Sequence, residues 1–133
     1  MRLVMLFAAL LLTASAFGAP PQNYVCLKCW QRISKAGRPN AAYCQAGGSH
    51  NWHSLGFKGT QINTCLKCRM LVHSMGRPNA AYCPQGGSHN WHIIGFRGRW
   101  PYQCRKCGLK VRVSGPPNVA YCPHGGSHIW IRY

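Results

Sequence analysis

Twelve residues in this sequence have the types and spacing to do chemistry together. Cys26, Cys29, Cys44 and His50 recur as Cys65, Cys68, Cys83 and His89, and again as Cys104, Cys107, Cys122 and His128. The period is 39 residues each time, and each copy reads C-x-K-C, fourteen residues, C, five residues, H. Three thiolates and one imidazole at fixed spacing suit a tetrahedral zinc ion. The C-x-x-C loop is short enough for two thiolates to grip one ion while backbone amides turn in on the sulfurs. Four protein ligands close such a site, whereas a catalytic zinc keeps a position for water. Three structural zinc ions per chain are therefore expected, each supplying folding energy to its own repeat.

Disulfides are the competing expectation for an extracellular chain. Each copy holds three cysteines and the chain nine, so full pairing would leave a thiol over and would not explain the fixed histidine. Copies one and two offer a second histidine, His53 and His92, but copy three has Ile131 at that place. Only His50, His89 and His128 occur three times, which makes them the expected ligands. His53 and His92 are expected at the surface or hydrogen-bonded near the site, and the singletons His73 and His124 are expected to be exposed.

The elements that must position these ligands are short. Residues 30–34, 69–73 and 109–113 read as brief strands running into a Gly-x-Pro-Asn turn (Gly37 to Asn40, Gly76 to Asn79, Gly115 to Asn118). A second strand is expected to carry Ala-Ala-Tyr or Val-Ala-Tyr back to the third cysteine. A third is expected to begin near Asn51 or Asn90 and run through Gly-Phe. No stretch has helical periodicity. The expected fold is thus small, metal-stabilised β: three tandem knuckle-like modules of short hairpins, at 24–62, 63–101 and 102–133. A unit of this size cannot bury enough apolar surface to fold unaided.

The pattern C-x-K-C-x-x-L…C-P-x-G-G-x-H is carried best by Cys104, Lys106, Cys107, Leu109, Cys122, Pro123, Gly125, Gly126 and His128, and again by Cys83 to His89. Copy one departs from it with Gln45 in place of the proline. The pattern resembles short zinc-ribbon-like repeats of extracellular proteins. The resemblance implies a small accessory binding module; it does not imply an activity.

The chain begins with Met1 and Arg2, an apolar run from Leu3 to Leu12 and then small residues, which reads as a secretory signal peptide over 1–16. The run is shorter than the roughly 20 residues a spanning helix needs. Residues 17–23 are expected to be a short leader, and the mature chain is expected to be secreted.

Composition narrows the function further. The 133 residues include 16 Lys and Arg but no Asp or Glu, a formal charge of +16. Side-chain salt bridges cannot form, and carboxylate chemistry of every kind is excluded, from paired-acid glycosidases to calcium cages. Each three-thiolate site carries one net negative charge, which leaves the mature chain at about +12. An enzyme is not expected. The expected partners are polyanions: anionic lipid, sulfated glycan, nucleic acid or a mineral surface. The densest basic cluster is Arg97, Arg99, Arg105, Lys106, Lys110 and Arg112, interleaved with Trp100. Basic residues beside an aromatic suit stacking and phosphate contact. Trp52, Trp91 and Trp130 follow each ligand histidine by two residues and either pack over the metal or stack on ligands. Host defence at anionic microbial surfaces is the leading expectation. A structural matrix or biomineral role is the alternative, and glycan binding through the repeated tryptophans comes third.

Overall fold

A computed structural model describes residues 20–133. The expected signal peptide and residues 17–19 of the leader lie outside the described residues. Seven strands and no helix form among those described: β1 (Gln22–Cys26), β2 (Arg32–Lys35), β3 (Trp52–Cys65), β4 (Leu71–Ser74), β5 (Trp91–Cys104), β6 (Lys110–Val113) and β7 (Trp130–Arg132). Every pairing is antiparallel. Each repeat is a three-stranded sheet whose central strand runs into a C-x-x-C knuckle: β1 lies between β2 and β3, β3 between β4 and β5, and β5 between β6 and β7. Register repeats too, with Cys26 opposite Trp52, Cys65 opposite Trp91 and Cys104 opposite Trp130.

The strands differ from the expected hairpins in two ways. First, β3 and β5 are each 14 residues long. Each serves as the outer strand of one repeat and then, past a register shift, as the central strand of the next. They run across the sequence limits at 62/63 and 101/102, and β1 begins inside the segment read as a leader. Second, no strand leads back to the third cysteine. Tyr43, Tyr82 and Tyr121 stand in the left-handed region at φ 61, 62 and 60°, which breaks an extended run. The Asn40 side chain also accepts the Ala42 N–H at 3.0 Å, closing a local turn that competes with a strand. The first two C-x-x-C knuckles end similarly. Trp30 and Arg69 sit at φ 61 and 63°, so β2 and β4 begin only after them.

The core lies between repeats rather than within them. Val25 and Leu55 of the first repeat pack with Cys65, Val72, Cys83 and Trp91 of the second. Ile62 and Ile94 of the second pack with Val111 and Val113 of the third. The Pro-Asn turn of each following repeat covers the outer edge of the preceding sheet: Asn79 N–H donates to the Leu55 carbonyl at 2.8 Å and Asn118 N–H to that of Ile94 at 2.7 Å. Exposed strand edges invite unwanted pairing, and these contacts close them.

Ile94 is 1 % exposed at the centre of the second interface. Ile94→Ala should destabilise the metal-loaded protein by about 2–5 kcal/mol in denaturant unfolding. Phe96→Ala, two residues along but half exposed, should stay within about 0.5 kcal/mol.

Candidate metal centres

Each knuckle is built by a tight backbone turn. Trp30 N–H donates to the Cys26 carbonyl at 2.9 Å, as Arg69 does to Cys65 and Gly108 to Cys104. The loop bearing the third cysteine closes opposite it, with Gly47 N–H donating to the Cys44 carbonyl and Cys44 N–H to that of Gly48, both at 2.9 Å. Gly47 and Gly48 lie at φ 94 and 64°, and the same pair recurs in each repeat. A side chain at Gly48 would be strained there and would meet Lys28 Nζ at 3.6 Å.

These turns gather the twelve expected ligands into three clusters, within each of which all donor atoms lie inside 4.8 Å of one another. All nine cysteines are free thiols. Cys26 and Cys44 Sγ are 3.9 Å apart and Cys65 and Cys83 Sγ 4.0 Å, well beyond the roughly 2.05 Å of a disulfide. His50, His89 and His128 turn Nδ1 toward the sulfurs, at 3.6, 3.5 and 3.6 Å from Cys29, Cys68 and Cys107. A tetrahedron with metal–sulfur bonds of about 2.3 Å and metal–nitrogen bonds of about 2.0 Å has edges of about 3.8 Å and 3.5 Å. The clusters therefore fit a tetrahedral metal ion.

Electrostatics also favour a cation. Burial works to raise the Cys26 thiol. The backbone amides of Cys29, Lys28 and Asn51, with the His50 ring, outweigh burial and bring it down to about 5. Cys104 comes down to about 6 by the same balance. The partner cysteines go the other way: burial, then the neighbouring thiols, push Cys68 up to about 12 and Cys107 up to about 11. One thiolate of each C-x-x-C pair forms readily and the other is opposed, and a positive ion between them would relieve that opposition.

The ligand histidines are held from behind. Trp52, Trp91 and Trp130 stack on them with ring centroids 4.5, 4.6 and 4.6 Å apart and planes 21–24° from parallel. Each indole N–H donates to the carbonyl of the turn asparagine, Asn40 at 2.8 Å and Asn79 and Asn118 at 2.9 Å. The Gly-x-Pro-Asn segment thus does more than turn the chain, because its asparagine fixes the tryptophan that orients the ligand. Sequence reading saw only the turn. The knuckle lysines are also engaged. Lys28 donates to the carbonyls of Gly47 and, at 2.9 Å, Ser49; Lys67 to Gly86 and Ser88; Lys106 to Gly125 and Ser127. They clamp one half of each centre to the other.

His53 and His92 stand apart from the donor clusters. They are half-buried between repeats, meeting Tyr82 and Tyr121 edge-on at 5.0 and 4.9 Å. His92 Nε2 also lies 3.2 Å from Asn118 Nδ2. At the equivalent place copy three has Ile131, which is exposed. The first-repeat counterpart, Tyr43, is 94 % exposed. His73 is likewise not simply exposed; it is half-buried, and burial, then Arg97 and Lys58, hold it below the usual histidine range.

In the basic cluster, Arg97 and Arg99 stand on β5, with Lys110 and Arg112 on β6 opposite Gln103 and Pro101. Arg105 is exposed in the third knuckle. Trp100 is occupied rather than free: the guanidinium carbons of Arg99 and Arg132 lie 4.6 and 4.5 Å from its ring centre. Arg132 was missed in the sequence because it lies 32 residues from Trp100.

Comparison with protein-family models, curated proteins and solved structures finds no match. The chemistry of the centres is therefore carried by their geometry.

His50→Ala should lose one metal ion per chain, whereas His53→Ala should keep all of them while weakening the contact with Tyr82. Metal content by native mass spectrometry decides. Retention by His50→Ala with loss by His53→Ala would reverse the ligand assignment.

Proposed function

We propose that this chain is a secreted, non-catalytic protein whose three zinc-ribbon-like repeats hold structural zinc and present a basic surface to polyanions, in host defence at anionic microbial surfaces. Zinc is favoured over other metals by three thiolates and one imidazole at tetrahedral spacing. Bound there, it would supply charge neutralisation and cross-linking and no reaction, since the four protein donors leave no ligand position for a substrate.

The observation that carries the binding reading is the pair of guanidiniums at Trp100. Two cations share one aromatic ring, and the chain has no side-chain acid to neutralise either. Cation–π contact fixes the guanidiniums without consuming their hydrogen-bond donors. Comparison of repeats locates the specialisation. Thr60, Gln61, Leu66, Leu71, His73 and Ile93 of the second repeat become Arg99, Trp100, Arg105, Lys110, Arg112 and Arg132 in the third. Arg99 and Arg132 at Trp100 anchor the proposed contact, and Arg97, Arg105, Lys110 and Arg112 add positive charge around it. Lys106 contributes charge but its ammonium already holds two carbonyls. Glycan binding through the repeated tryptophans has less support, since Trp91 is buried and all three indoles stack on ligand histidines.

Binding to heparin, duplex DNA and anionic vesicles should fall steeply with salt, with a log–log slope near −0.9 per phosphate engaged on DNA. Arg99→Gln with Arg132→Gln should flatten that slope by roughly two contacts, and Arg38→Gln with Arg77→Gln should change it less. A salt titration of each variant is the test. Salt-insensitive binding to one neutral glycan would overturn this reading.

A further inference from the structure

The two interfaces between repeats are built on equivalent positions, yet one is filled and the other open. In the second, Ile62 and Leu71 pack with Ile94, Val111 and Val113 into a closed apolar cluster. In the first, the positions equivalent to Ile62 and Leu71 are Asn23 and Arg32, and Ser74 stands where the second interface has Val113. A cleft of about 620 Å³ results, lined by Asn23, Tyr24, Arg32 and Ile33 from the first repeat, Leu55 and Lys58 from β3, and Leu71, Val72 and His73 from β4. That volume falls within the range of small-ligand sites.

Its lining divides by chemistry. Ile33 and Leu71 are half-buried and give it an apolar floor, while Tyr24, Leu55 and Val72 lie buried beneath. Arg32 and Lys58 are exposed at its rim. Arg32 is partly anchored, since its Nη1 donates to the Leu71 carbonyl at 2.7 Å, which leaves the other guanidinium donors available. Asn23 is satisfied on both sides, donating to the His73 carbonyl at 2.7 Å and accepting from Ser34 Oγ at 2.7 Å, so it shapes the wall and attracts nothing itself. With no Asp or Glu in the chain, the two rim cations have no side-chain counter-ion.

We infer that this cleft is a binding site for a small single-headed organic anion: a carboxylate, such as that of a medium-chain fatty acid, whose apolar body lies on Ile33 and Leu71 and whose head meets Arg32 and Lys58. An apolar floor beneath two fixed-sign charges selects for both halves at once, so neither a bare anion nor a neutral chain should satisfy it. The site is separate from the basic surface of the third repeat, and its failure would leave the polyanion reading untouched.

The test uses the metal-loaded full chain and decanoate below its micelle concentration, followed by amide chemical shifts, with inorganic phosphate and 1-decanol as comparison probes. Decanoate should shift residues around 23–24, 32–34, 55–58 and 71–73 and bind at least ten-fold more tightly than either comparison probe. Lys58→Gln, an exposed change that disturbs no packing, should weaken decanoate several-fold and leave 1-decanol unchanged. Asn23→Ile with Arg32→Leu copies the filled interface and should abolish decanoate binding while metal content stays complete. Equal binding of phosphate or of 1-decanol, unchanged binding in Lys58→Gln, or shifts confined to the third repeat would each overturn the assignment.

Discussion

Everything in this fold depends on bringing three thiols and an imidazole within 4.8 Å of each other, three times over. The chain cannot sustain that arrangement by packing alone. Amides turned in on Cys26 favour one thiolate, and a second charge at Cys29 beside it is opposed. A cation at the centre would remove the conflict and join two loops that share no strand. The surrounding pieces then make sense as supports. A lysine bridges the loops through two carbonyls, a tryptophan backs the histidine, and an asparagine holds the tryptophan. None of these is strong alone, and all require the ligands to be in place.

Metal centres by themselves would give three beads on a string. The long strands prevent that. Because β3 and β5 each belong to two repeats, every knuckle is the continuation of its predecessor's outer strand, and the apolar residues each small sheet cannot bury alone meet those of its neighbour. This is the logic of repeat arrays, in which nearest-neighbour contacts add to marginal units. The same logic lets one interface be tightly filled and the other left as a basic cleft without loss of architecture.

The sequence makes the donor set readable because tetrahedral coordination tolerates little variation in loop length, and the spacing never varies. The second histidine in copies one and two is excluded as a ligand by Ile131 alone. What that histidine does instead was not readable, because its partner, Tyr82 or Tyr121, lies 29 residues downstream in another repeat. The expected return strand failed for a local reason: a tyrosine in the left-handed region has no compositional signature, unlike the glycines beside it. Strand sharing was not readable, because the third strand was expected only as far as Gly56-Phe57 and Gly95-Phe96. Gly59 and Gly98 in fact let the strand pass against the next repeat, where a Cβ would fall 2.5 Å from Ser74 and 2.3 Å from Ser114 backbone atoms.

The most direct test of this account is a chelator titration of the purified chain, followed together by native mass spectrometry and by the dispersion of its amide resonances. The account predicts three metal ions per chain and nine reduced cysteines, with dispersion lost as the ions leave and restored when zinc returns. A metal-free chain whose mass shows disulfides, and whose resonances stay dispersed in chelator, would contradict it.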